Sequence, residues 1–212
     1  MVSVPILFQD DHLVVVDKPV GFLVVPAPKR HGPTVVDLVG AQLGKRVQAV
    51  HRLDEETSGA LVLALTDAGR VGMEELFRTH AVEREYLALA SAAPSPPAGR
   101  IESRLLEDEG GVVRVVPRGG ERAVTHYETL ERRGRCVLVR CRLETGRRNQ
   151  IRAHLSALGC PLAGDRKYGF RARAGESFRR LMLHSWSLRF VHPVGGAVIA
   201  VIAEPVELEL RP

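Results

Sequence analysis

Residues 110–143 read GGVVRVVPRGGERAVTHYETLERRGRCVLVRCRL, and this stretch decides the fold class. It predicts strands near 112–116, 122–130 and 136–143, with Gly110-Gly111 and Gly119-Gly120 supplying the turns. Upstream, Val82, Arg84, Tyr86, Ala88 and Ala90 alternate with Leu87 and Leu89, a strand period, before the loop SAAPSPPAG at 91–99. Downstream, Ile151, Leu155 and Leu158 predict a helix closed by Gly159 and Pro161, and strands follow near 186–191 and 197–203. In the N-terminal part, HLVVVD at 12–17 reads as a buried strand and Lys18-Pro19-Val20-Gly21 as a turn. Thr34, with Asp37 as capping partner, starts a helix over Val35, Leu38, Val39 and Leu43 that Gly44 ends. Residues 60–64 form an apolar strand, and Thr66 caps a second helix, with Met73, Leu76 and Phe77 inward, ending near His80. Short helices among many tightly joined strands make an α+β fold with a mixed, largely antiparallel sheet, not a doubly wound parallel one. No repeat or composition break divides the chain, so residues 1–212 are expected to form a single domain, with 94–99 a candidate hinge between two halves of its sheet.

At 212 residues the chain is long enough to bury a sizeable core without staples. Cys136, Cys141 and Cys160 form no CxxC pair, and an odd count suits a reducing compartment, so they read as buried small apolar residues. No signal segment and no run of ~18 apolar residues is present, so a soluble, cytoplasmic protein without membrane attachment is expected. Lys and Arg number 30 against 25 Asp and Glu, a net charge of +5, with a pI of about 9.5, which favours a polyanionic partner. The arginines are concentrated: Arg132, Arg133, Arg135, Arg140, Arg142, Arg147, Arg148 and Arg152 crowd together, followed by Arg166, Lys167, Arg171, Arg173, Arg179 and Arg180. That crowding has the character of an electrostatic footprint.

The segment His51-Arg52-Leu53-Asp54-Glu55-Glu56-Thr57-Ser58-Gly59 places an acid, a cation and small hydrogen-bonding residues just before an apolar strand. A carboxylate there can act as nucleophile or base, oriented by hydroxyls and backbone amides. An ordinary solvated turn with a surface Arg–Asp pair fits the same residues, so composition and spacing leave both readings standing.

HRLDEETSGALVLA at 51–64 resembles the HRLDxxTSGxxxxA signature of the RluA family of pseudouridine synthases. Asp17-Lys18-Pro19-Val20-Gly21 is similar to that family's DKPxG motif, and 84–89 (REYLAL) to its (K/R)xYLAL strand. Residues 143–154 (LETGRRNQIRAH) resemble LxTGRxxQIRxH. Gly164-Asp165 with Tyr168-Gly169, then Leu183-His184 and His192-Pro193, resemble the closing elements, so the likeness spans roughly residues 5–205. Val25 and Asn149 stand where many members have histidine, Ala60 where leucine is usual, and Ser185 where alanine is usual.

The resemblance implies a bent antiparallel sheet with peripheral helices and an isomerase that converts uridines of structured RNA, ribosomal or transfer, to pseudouridine. It places Asp54 on the essential aspartate, Tyr86 on the tyrosine whose ring lies against the target base, and Arg152 on the basic residue that pairs with the aspartate. Arg52 falls on the arginine that fills the stack when the base is flipped out. Arg147 and Arg148, with Lys167, are expected to meet RNA phosphates. No cofactor, metal, DNA or membrane is implied, a monomer is expected, and with no S4-type domain before Ile6 the catalytic domain itself is expected to recognise RNA. By their residue types, Tyr86 could equally be a core strand tyrosine and Arg152 a solvated helix arginine. His154, His184 and His192 read as structural hydrogen-bonding residues, since no His/Cys/carboxylate cluster has zinc spacing. Two other function classes fit parts of the pattern: a catalytically silent RNA-binding module, and a base-releasing N-glycosylase that flips a base and uses an aspartate.

Overall fold

The computed structural model describes residues 2–28, 30–172 and 177–205; Arg173 of the basic cluster lies outside them. The elements in order are β1 (Ile6–Gln9), β2 (Leu13–Lys18), α1 (Val35–Leu43), β3 (Gln48–Ala49), β4 (Ser58–Ala64), α2 (Asp67–Arg78) and β5 (Glu83–Ala90). There follow β6 (Ala98–Glu107), β7 (Val113–Val116), β8 (Glu121–Arg133), β9 (Cys136–Leu143), α3 (Gln150–Ala157), a 3-10 turn at Arg166–Tyr168, β10 (Leu183–Val191) and β11 (Val198–Ile202). The mix is α+β with mostly antiparallel pairing. Internal contacts group the chain into two units, one ending at Arg84 and resumed by His184–Pro205, the other Glu85–Leu183. The expected hinge at 94–99 is therefore not the division; that stretch lies inside the second unit and runs into the start of β6.

In the first unit, β2 pairs antiparallel with β1 and β4, β3 pairs with the far end of β4, and β11 pairs antiparallel with β10. A parallel pairing sets His184 and Ser185 of β10 beside Ser58 and Gly59 of β4. β4 is buried along its whole length, which is why its sequence is a continuous apolar run instead of an alternation. Gly59 sits at φ 108°, and a Cβ there would lie 2.2 Å from the Ser185 carbonyl oxygen, so the close approach of these strands requires glycine. Leu13, Val15, Ala60, Val62, Met73, Leu188 and Phe190 form the core, with Leu76 and Phe77 packed against it. Both helices start as their sequences predict. Thr34 and Asp37 exchange a capping box on α1, Gly44 ends it in the left-handed conformation, and Thr66 accepts from the Gly69 amide on α2. Such caps are worth about 0.5–2 kcal/mol each.

In the second unit the strand order is β5-β9-β8-β6-β7, every neighbouring pair antiparallel. Strand β6 is absent from the sequence expectation, which ended the 91–99 loop where β6 begins and left 100–107 unassigned. Its residues are mostly exposed or half-buried, so it carries almost no apolar run to read. As a result β7 pairs with β6, although the Gly119-Gly120 turn joins it to β8 in sequence. Helix α3 packs against β6, β7 and β8; Leu158, expected within that helix, is its C-cap and stays largely exposed. The cysteines are free and buried, and burial pushes the Cys141 thiol up to about 12.

Candidate active site

The loop between β3 and β4 carries His51 to Thr57, and its backbone is tied down from beneath. Lys18, at the end of β2, is 0% exposed, and its Nζ donates to the carbonyls of Pro19 (3.0 Å), Glu55 (3.2 Å) and Thr57 (2.8 Å). Three carbonyls match the three N–H donors of an ammonium, which is how so polar a group is kept in the interior. Gly21 N–H also donates to the Glu55 carbonyl at 2.8 Å, and Thr57 N–H closes a turn onto the Asp54 carbonyl at 3.1 Å. Arg30 pairs with the Glu55 side chain, so Glu55 is not purely solvated as its residue type suggests. On the turn so fixed, Leu53 points inward, Asp54 is half-buried and Arg52 is exposed.

Two histidines brace the ends of this loop. The His51 ring stacks on Phe77 with centroids 4.3 Å apart, and its Nε2 accepts from the Val62 amide at 3.1 Å. Burial and the nearby Arg84 charge hold His51 neutral, pushed down to about 3. His184 Nε2 faces the Ala203 carbonyl at 2.9 Å and so carries the proton, which leaves Nδ1 to accept from the Ser58 hydroxyl at 2.9 Å. The residues at two positions of family departure meet here: Ser185 Oγ donates to the Ala60 carbonyl at 2.9 Å.

The second unit presents Tyr86 and Arg152. Tyr86 lies on β5 opposite Cys141 of β9 and is buried. Arg152 projects from α3, and its Nε and Nη2 donate to the two carboxylate oxygens of Asp165 at 2.8 Å each. Its Nη1 donates to Asn149 Oδ1 at 3.2 Å, and the guanidinium lies 4.9 Å over the Tyr168 ring. Both members of the ion pair are buried, with side-chain exposures of 6% and 0%. Arg152 is therefore not the solvated helix arginine its sequence neighbours allow.

Behind Arg152, α3 is bolted to β8 by neutral polar groups. Gln150 Oε1 accepts from Thr145 Oγ1 (2.7 Å) and the Arg147 amide (3.0 Å), while its Nε2 donates to the Val124 carbonyl and to Thr125 Oγ1, both at 2.9 Å. His154 contacts Thr125 Oγ1 and Ser103 Oγ at 2.9 Å each, and burial holds it neutral, down to about 4. His192 accepts at Nδ1 from the Gly195 amide at 2.8 Å, so His154, His184 and His192 are hydrogen-bonding residues of the fold. Arg147 and Arg148, expected at phosphates, pair with Glu121 (2.6 Å) and Glu107, and Lys167 donates to the Gly111 carbonyl at 2.7 Å. Among the described residues no group of three or more His, Cys, Asp or Glu could hold a metal ion, and no helix is long and apolar enough to cross a membrane.

Residues 12–157 match the model of a family described as RNA pseudouridylate synthase. The chain belongs to that family. It is 36% identical over 228 residues to ribosomal large subunit pseudouridine synthase D of Zymomonas mobilis, covering 99% of this chain and 72% of that one. It is also 36% identical to the protein of the same name from Nitrosomonas europaea, covering 93% of this chain and 61% of the other. The chain thus spans roughly two thirds of the length of these relatives. Among solved structures it is similar to human RNA pseudouridylate synthase domain containing 4, at 29% identity and a TM-score of 0.76, covering 94% of this chain and 88% of that one. RNA pseudouridylate synthases are isomerases acting on RNA, so the α+β fold and the resemblance drawn from 51–64 and 143–154 agree with the match. Sequence reasoning missed the supports: Asp165 and Lys18 sat in matched motifs without a role, and Thr145 and Gln150 had no assigned partner. The signal available for them was polarity beside apolar positions predicted to be buried.

Proposed function

We propose that this pseudouridylate synthase isomerises specific uridines of ribosomal or transfer RNA, with Asp54 as the catalytic carboxylate. The observation that carries the reading is the turn at Asp54, whose backbone the buried Lys18 ammonium and the Gly21 amide clamp, so that a half-buried carboxylate stands on rigid support. A solvated surface turn has no need of that clamp. The likeness to ribosomal large subunit pseudouridine synthases supports an RNA target of the ribosomal kind.

The reaction breaks N1–C1′, turns the freed uracil and joins C5 to C1′, with the C5 proton lost and N1 gaining one, so that the product is an isomer. The base must first leave its stack, which costs a few kcal/mol, and the exposed Arg52 guanidinium is assigned to fill the gap. Asp54 acts on the ribose either as nucleophile at C1′ or as base at C2′. Tyr86 holds the uracil ring while it turns, and Arg152 is the guanidinium that serves the carboxylate. Arg147, Arg148 and Lys167 are assigned to the RNA backbone.

The test is to incubate purified protein and chelator with RNA from cells lacking it, then map pseudouridine and weigh the RNA. Discrete uridines should convert with no change in RNA mass. Free uracil with abasic RNA would point to an N-glycosylase instead, and bound but unaltered RNA to a silent binding module.

A further inference from the structure

We infer that Asp165, assisted by Asn149, is a positioning residue for catalysis that acts by fixing the plane of the Arg152 guanidinium. The inference rests on the assignment of Arg152 above. An arginine on a helix turns about several side-chain bonds, and a guanidinium useful to a reacting carboxylate must hold one orientation. Asp165 takes Nε and Nη2 in a two-pronged contact and Asn149 takes one N–H of Nη1. These bonds use three of the five N–H groups, so the direction of the other two is set.

The supports are themselves constrained. Asp165 precedes the Arg166–Tyr168 turn, where its side chain accepts from the Tyr168 amide, and Tyr168 Oη in turn accepts from the Val113 amide at 3.0 Å. The Tyr168 ring then lies under the guanidinium. Gly164, just before, has φ 79°, and a Cβ there would lie 1.9 Å from the Arg180 carbonyl oxygen, so the close approach of the chain beside Asp165 requires glycine. Asn149 sits at φ 51°, a conformation that asparagine tolerates better than most residues, and this turns its Oδ1 toward Arg152. An ion pair kept only for stability gains little from burial, since an apolar pair of the same shape does as well or better. Retention of a fully buried, doubly bonded arginine is what an orienting role requires.

The experiment compares Arg152→Ala, Asp165→Asn, Asn149→Gly and the Arg152→Ala/Asp165→Asn double variant, measuring single-turnover rate and RNA affinity at a temperature where circular dichroism shows each folded. Arg152→Ala should lose about a thousandfold in rate, and Asp165→Asn about a hundredfold, with RNA affinity within about threefold, as expected when a catalytic group is misaligned rather than removed. The double variant should be no slower than Arg152→Ala, because Asp165 works through that guanidinium. Asn149→Gly keeps the left-handed backbone, exposes no buried charge and should lose about tenfold in rate, so it decides the matter if Asp165→Asn does not fold. Full turnover in Arg152→Ala would remove the underlying assignment of Arg152. Loss in Arg152→Ala with normal rates in Asp165→Asn and Asn149→Gly would overturn the role of Asp165 alone, as would multiplicative losses in the double variant.

Discussion

The described bonds that support the two candidate regions differ in what they grip. Beneath the Asp54 turn, Lys18 and Gly21 grip backbone carbonyls, those of residues 19, 55 and 57. Around Arg152 they fall on the side chain itself, through Asp165, Asn149 and the Tyr168 ring. A short carboxylate is placed once its Cα is placed, because only two torsions follow, whereas a long guanidinium needs its far end fixed. The comparison predicts that damage to the first unit's support will loosen a loop and damage to the second's will leave a buried charge.

The largest effect should come from Lys18→Met, which strands the Pro19 and Thr57 carbonyls and leaves the Glu55 carbonyl with the Gly21 amide alone. At about 1–3 kcal/mol for each unsatisfied group, partly relieved by relaxation, a loss of about 3–5 kcal/mol in urea-unfolding stability is expected. A loss below about 1 kcal/mol would mean the loop holds without the clamp. In the second unit Arg152→Met should cost about 3 kcal/mol by leaving Asp165 uncompensated, and adding Asp165→Leu should return much of it. Failure of the second change to restore stability would show that the pair itself, and not its charge balance, maintains the unit.

How much of this could be read beforehand follows the range of the interactions. Capping by Thr34 and Asp37, the alternation of 82–90 and the glycine turns of 110–120 are local, and each appears in the structure where its pattern lies. Strand β6 escaped because the inward positions of its alternation are mostly only half-buried and include Gly99 and Ser103, which give little apolar signal, and β1 and β3 because they are only 4 and 2 residues long. The positions of Asp54, Tyr86 and Arg152 came from motif resemblance, not from physics. Their supports were hidden for a different reason: the partners lie 13 residues apart for Arg152–Asp165 and 37 to 39 apart for Lys18 with the Glu55 and Thr57 carbonyls. A buried lysine also runs against the usual exposure of that residue, so its type argued against the position that the fold gives it.

A middle-sized effect should appear with acid. His154 is depressed to about 4 in the folded protein, so as pH falls below about 6.5 the unfolded chain takes up a proton that the folded chain refuses. Its contribution to stability is complete above that point and declines by about 1.4 kcal/mol per pH unit down to about pH 4. His154→Gln should flatten that decline in urea titrations at successive pH values; an unchanged slope would mean the imidazole protonates in place.

The smallest effects belong to the surface arginines. Arg147→Ala and Arg148→Ala should change stability by less than about 1 kcal/mol, since their partners Glu121 and Glu107 are exposed. If Arg147 reaches an RNA phosphate it must leave Glu121, so Glu121→Ala should tighten RNA binding and Arg147→Ala should lower the salt slope by about 0.7–0.9. No response in either variant would remove Arg147 from the RNA-facing set.

The central claim, that the clamped turn exists to present a catalytic carboxylate, is tested most directly by single-turnover pseudouridine formation with Asp54→Asn. The substitution removes one ionisable group and leaves the Lys18 and Gly21 bonds to the backbone in place. The expected result is no detectable pseudouridine, with RNA affinity within about tenfold of the wild type and unfolding unchanged within about 1 kcal/mol. Near-normal conversion by Asp54→Asn would contradict the account.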